Sequence, residues 1–304
     1  MADPPAVLRT DPARREALRD YPFAPHWLEI EDDVVGPLRM HYLDEGPPDA
    51  APIVLLHGEP SWSYLYRHMI PPLVADGHRV LAPDLVGFGF SDKPTDRKLF
   101  SYERHVNWLT QWFSRLDLSA VTLFCQDWGG LLGLCVVAAE RARFARVLAA
   151  NTGLPVGEGE FPDAFAAWRK FATSTEDLPI GQILQSATVR ELAPEEVAAY
   201  DAPFESLPMK AAARVFPALV PVDPESPGVA VTKAAWQVLE TLEIPFATCF
   251  SDEDPVTAGQ EVRFRERIPG ARGQRHDRIE GGGHFLQEDV PEQIVERLRE
   301  LLRA

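Results

Sequence analysis

Cysteine is scarce in this chain: Cys125, Cys135 and Cys249 are the three present among 304 residues. An odd number of thiols, spread through apolar segments, supplies neither a disulfide framework nor a metal-ligand spacing, and implies buried thiols in a reducing compartment. Positive charge is also in deficit, with 30 Lys and Arg against 46 Asp and Glu, a formal net charge of -16. That charge repels phosphate backbones and anionic headgroups, which removes nucleic acid and membrane surfaces from the expected partners. No stretch approaches the ~20 apolar residues needed to span a bilayer, and Met1-Ala2-Asp3-Pro4-Pro5 lacks the basic segment and apolar run of a secretion signal. Internal repeats and low-complexity segments are missing as well, and so is any Gly-x-Ser-x-Gly, which disfavours a serine esterase. The expectation is a cytoplasmic protein that handles a small molecule without metal or cofactor, its oligomeric state open with a monomer favoured.

What the chain does have is an apolar share of 45%, enough for a sizeable core. Ile53 to His57, Arg79 to Pro83, Val121 to Cys125 and Val147 to Asn151 read as strands, and Pro245 to Phe250 as a later one. Continuous apolar runs of this length suit strands covered on both faces. Val106, Leu109, Phe113 and Leu116 recur at helical spacing within Tyr102 to Leu116, Gly129 to Glu140 reads as a small-residue helix, and Pro291 opens a closing helix that ends near Leu302. The alternation predicts an α/β fold with a mostly parallel central sheet flanked by helices. From Leu154 to Gly228 prolines and acidic residues are frequent, short helical patches appear and no convincing strand does. Residues 154–228 are therefore expected to be a helical cap inserted into a main domain made of 1–153 and 229–304.

The candidate chemistry begins at Cys125-Gln126-Asp127-Trp128-Gly129-Gly130, where a buried strand turns sharply into a helix. Such a turn strains its central residue and needs small neighbours two positions away, which Cys125 and Gly129 are. Alone, an Asp there reads as a helix N-cap. Three other segments change that reading. His57-Gly58-Glu59-Pro60 follows a strand, so the backbone N–H groups of Glu59 and Trp128 can form an oxyanion hole. His284 stands on the glycine-rich loop Gly281-Gly282-Gly283, and Ser251-Asp252-Glu253-Asp254-Pro255 offers Asp254 as the carboxylate that orients it, with Asp252 left open by spacing alone. The order nucleophile, acid, base is that of the α/β-hydrolase fold.

With these residues in view the sequence resembles the haloalkane dehalogenases, in the subfamily whose acid follows the later strand. The resemblance runs from about Tyr21 to Leu302 and is carried by His57-Gly58-Glu59-Pro60-Ser61-Trp62-Ser63-Tyr64-Leu65-Tyr66-Arg67, Pro83-Asp84-Leu85-Val86-Gly87-Phe88-Gly89 with Ser91-Asp92-Lys93-Pro94, Gln126-Asp127-Trp128-Gly129-Gly130 and Gly283-His284-Phe285-Leu286-Gln287-Glu288. It implies Asp127 as nucleophile, Asp254 as acid and His284 as base, with halide held by Trp128 and a cap tryptophan. Trp168 is the one tryptophan in the cap segment, and Trp236 lies beyond it. In a second subfamily an Asn occupies the site of Glu59 and donates to the halide. Glu59 as an anion would repel it, so the cap must supply the second donor. Other relatives carry the acid where this chain has Asn151, which has no charge to stabilise an imidazolium.

The chemistry expected of such residues has two steps. A carboxylate displaces halide from an sp3 carbon and becomes an alkyl ester, and a histidine-activated water then hydrolyses that ester to an alcohol. An epoxide hydrolase shares the Asp nucleophile but uses a pair of cap tyrosines, whereas this cap has Tyr200 alone. A haloacid-specific relative would want arginines beside the nucleophile, and a binding module that does not turn over typically lacks a member of the triad.

Overall fold

The computed structural model describes residues 6–303; the Met1 to Pro5 segment read above for targeting, and Ala304, lie outside the described residues. In chain order, β1 (Val7–Leu8) precedes β2 (His26–Ile30), β3 (Leu38–Glu45), β4 (Pro52–Leu56), α1 (Ile70–Ala75), β5 (Arg79–Pro83) and β6 (Lys93–Pro94). Then come α2 (Tyr102–Arg115), β7 (Val121–Gln126), α3 (Trp128–Ala139) and β8 (Phe144–Ala150). Four helices follow without a strand: α4 (Asp163–Ser174), α5 (Ile180–Ser186), α6 (Pro194–Asp201) and α7 (Ala211–Leu219). The chain closes with α8 (Val229–Leu239), β9 (Phe246–Thr248), α9 (Glu261–Arg267), α10 (Leu286–Asp289) and α11 (Pro291–Arg303).

The main sheet runs β2-β3-β5-β4-β7-β8-β9, and β1 pairs with β6 in a separate short ribbon. From β5 to β9 every pairing is parallel, and β4, β7 and the end of β8 are buried throughout. Those are the uninterrupted apolar runs, as double-sided burial requires. The antiparallel strands β2 and β3 have no counterpart among the runs read from sequence. β2 alternates half-buried and exposed positions and β3 carries Arg39, His41 and Asp44, so neither presents a continuous apolar signal. β9 is shorter than its apolar run, because beyond Thr248 the chain leaves the ladder and Ser251 bridges to Ile279 beside the histidine loop. Within the helical insertion α4 packs on α7 and α5 on α6, whereas α8 packs back on α3. No helix among the described residues is long and apolar enough to cross a membrane.

Candidate active site

β7 ends at Gln126 and α3 begins at Trp128, which leaves Asp127 alone to make the turn, at φ 51° and ψ -125°. Such a conformation costs a non-glycine residue of order 1–3 kcal/mol and persists only where its surroundings enforce it. They do so by crowding: a Cβ at Gly129 would lie 2.1 Å from Leu56 O, and one at Gly58 would lie 2.3 Å from Asp127 Oδ1. The carboxylate does not cap α3. Its Oδ1 accepts the Glu59 N–H at 2.7 Å instead, while the Trp128 N–H, in the first helical turn, has no partner within the helix.

His284 stands between two carboxylates. Its Nε2 is 3.5 Å from Asp127 Oδ2 and its Nδ1 is 3.1 Å from Asp254 Oδ1, an ion-pair approach whose angle falls short of an aligned hydrogen bond. Asp254 is buried and accepts from the Val256 N–H at 2.8 Å and from the Thr257 hydroxyl. Burial alone would raise its pKa, but His284 and these donors hold it below the usual carboxylate range. Burial likewise works against a charged His284, and the charges of Asp254 and Asp127 overcome it, raising the imidazole to about 10. Asp252, the neighbour that spacing leaves open, is exposed and accepts the Gly281 N–H at 2.9 Å.

Three supporting residues escaped the sequence reading. Asn151, at the end of β8, donates through Nδ2 to Ser251 Oγ at 2.7 Å, Gly283 O at 2.9 Å and His284 O at 3.1 Å, and its Oδ1 accepts the Ser251 N–H. It sews the acid and base loops to the sheet. Gln126 donates to His284 O at 3.1 Å, with its Nε2 3.3 Å from the imidazole Nε2. His57 accepts the Leu85 N–H at Nε2, so its Nδ1 carries the proton donated to Gly58 O at 2.8 Å, which fixes the loop that bears the Glu59 N–H. A signal was present in each case, a buried polar residue in or beside a motif, but a partner that defines its role lies on a segment distant in sequence.

Asp127 and His284 open on a cavity of about 610 Å³ walled largely by apolar groups, Phe161, Phe165, Phe171, Ile183 and Val220 among them. The lining includes Trp128 from α3 and Trp168 from α4. Trp128 is wedged between Tyr102 and Phe216, with ring centroids 5.6 and 4.5 Å away. The Trp128 indole N–H has no protein acceptor at hydrogen-bonding distance among the described residues, whereas the Trp168 indole lies close enough to the Glu59 carboxyl to act on it as a donor and favour its charged form. Trp236, by contrast, is buried with its N–H committed to Leu154 O at 2.8 Å. Tyr200 is buried too, donates to Glu288, and is not among the residues that line the cavity. His68, Glu196 and Glu288 bring possible metal ligands together elsewhere, but Arg67 and Arg190 already pair with both carboxylates.

A strained acidic elbow at the end of β7, an ion-paired histidine and a buried acid define an α/β hydrolase on this sheet, and the family model described as alpha/beta hydrolase fold matches residues 51–200. Across 292 residues the chain is 50% identical to a haloalkane dehalogenase of Psychrobacter cryohalolentis, covering 96% of both chains. It is 49% identical to one of Mycobacterium marinum, over 96% of this chain and 98% of that one. Among solved structures, the tetrameric haloalkane dehalogenase DpaA of Paraglaciecola agarilytica NO2 superposes with a TM-score of 0.89 at 33% identity, over 98% of each chain. The chain belongs to the haloalkane dehalogenases, hydrolases that act on carbon–halide bonds.

Proposed function

We propose that Asp127 attacks the halogen-bearing carbon through the oxygen facing His284, forming an alkyl ester while halide departs toward the indole N–H groups of Trp128 and Trp168. Water activated by His284 then attacks the ester carbonyl carbon, and the backbone N–H groups of Glu59 and Trp128 receive the oxyanion. Asp254 stabilises the resulting imidazolium. The observation that carries this reading is the single constellation of Glu59 N–H, Asp127, His284 and Asp254, with both tryptophans on the same cavity.

Esterification also supplies the base. The charge of Asp127 helps to hold His284 protonated. Once alkylated, Asp127 is neutral, that support is withdrawn, and burial drives the imidazole toward the neutral form the second step needs. Residues 154–228 act in this reading as a cap that carries Trp168 over the nucleophile. The site is complete within one chain, which supports a working monomer, and three buried free thiols support a cytoplasmic setting.

The test is to arrest the second step. His284→Gln with 1-bromobutane is expected to release halide once per active site and then stall, with mass spectrometry finding one butyl group on the peptide that contains Asp127. Asp127→Ala is expected to do neither. A folded, halide-binding His284→Gln enzyme that acquires no label would overturn the covalent route.

A further inference from the structure

The mechanism above uses the backbone of Glu59 and leaves its side chain idle, yet that side chain is 3% exposed on the wall shared with Asp127, Trp128 and Trp168. Its Oε1 is sealed in protein with no hydrogen-bond donor, so the second oxygen is the one that communicates with the cavity. An ionised carboxylate in this position would spread half its charge onto an oxygen that nothing compensates. The charged surroundings come from three loops: Asp127 on the elbow disfavours ionisation, His284 on the base loop favours it, and Glu253 on the acid loop lines the same cavity. Burial and Asp127 prevail over His284 and the Trp168 indole, and the pKa of the carboxyl is raised well above the usual carboxylate range.

We propose that Glu59 is kept as a neutral carboxylic acid whose hydroxyl is a third hydrogen-bond donor to the departing halide, beside the two indoles. The proposal rests on the reading of Trp128 and Trp168 as halide donors. No proton is transferred: the C–X bond breaks as the Asp127 ester forms, the electron pair leaves with the halide, and the proton stays on Glu59. A charge-assisted O–H donor strengthens as the anion forms, so it favours the transition state over the bound haloalkane. Loss of that proton would turn a donor into a repelling charge.

Bromide titrations followed by tryptophan fluorescence, with bromide-induced infrared difference spectra at neutral pH, test this directly. In the wild-type enzyme bromide is expected to shift the carbonyl stretch of a protonated carboxylic acid, a band absent in Glu59→Gln. Glu59→Ala should weaken bromide binding about tenfold or more, while Glu59→Gln, which keeps an N–H donor, should stay within about threefold. Raising the pH should weaken bromide binding more steeply in the wild type than in Glu59→Gln, where only His284 titrates. If Trp168→Phe weakens bromide but no carboxylic acid band responds, or if Glu59→Ala binds bromide like the wild type, the proposal is overturned. If the band shifts while Trp168→Phe binds bromide unchanged, the tryptophan assignment fails and the role of Glu59 stands.

Discussion

Asp254→Asn tests the electrostatics of the second step most directly. Asp254 is buried 3.1 Å from the imidazole Nδ1 and leads the influences that lift His284 to about 10 against the pull of burial. In the alkyl-enzyme Asp127 is neutral, and Asp254 becomes the main support for a charged imidazole. Its replacement by an amide leaves burial unopposed, which favours neutral His284 and withdraws stabilisation from the imidazolium that forms as water attacks. Ester hydrolysis is expected to slow by about 10³- to 10⁴-fold, or about 4 to 5.5 kcal/mol of barrier. The sign for pH follows from the same balance. The rising limb of kcat reports deprotonation of His284 in the alkyl-enzyme, so Asp254→Asn should move that limb to lower pH while the plateau falls. Rapid-quench measurement of the ester against pH, with 1-bromobutane, reads both quantities. The halide burst should survive, because displacement needs no base. Asp252→Asn, which alters one exposed contact to Gly281, should stay within about twofold of the wild type. A plateau within tenfold of the wild type, or a limb that does not move, would refute the reasoning.

Other tests follow from the same geometry. Trp168→Phe keeps the ring and removes the donor, and should weaken bromide binding about tenfold and cut turnover with the fold intact, as fluorescence titration and circular dichroism can measure. Asn151→Ala removes the donor shared by Ser251, Gly283 and His284, and should cost about 2 to 4 kcal/mol, read as a lower urea midpoint at unchanged slope. Because the native pKa of His284 is raised to about 10, its contribution to stability is full below the unfolded value of about 6.5 and is lost as pH rises through the native one. The stability difference between wild type and His284→Gln should therefore shrink across that window, as thermal melts of the two proteins would reveal.

The parallel half of the fold was legible because double-sided burial writes itself as unbroken apolar runs, and β4, β5 and β7 fall within a residue of the segments read. β2 and β3 were not legible, since an antiparallel strand with one wet face mixes charge into its pattern. Asp127, Asp254 and His284 could be named as candidates because strand ends and glycine loops are local features. Asn151 was dismissed as an acid for its lack of charge, and its actual work depends on three acceptors that lie 100 residues or more away in sequence. Glu59 was read as an anion that would repel halide, and its burial, which favours the neutral form, cannot be known until the chain is folded over it.

Charge conservation explains why such a largely apolar cavity can host a reaction that creates an anion. At rest Asp127 and Asp254 carry two negative charges against one positive charge on His284. In the proposed mechanism, when a neutral haloalkane reacts the negative charge of Asp127 moves to the halide, and the site as a whole gains none. The cost of the step is therefore the cost of relocation, from an oxygen held by the Glu59 N–H to a position beside the indoles. Ordering follows from the same count: release of halide leaves the site short of one negative charge, and a protonated His284 loses one of the two carboxylates that held it. The base is thus created by the step that precedes it. A Glu59 carboxylate beside the leaving group would break this balance by placing a fixed anion where the new one must arrive, and the neutral acid we propose there would serve the same arithmetic as the ester on Asp127.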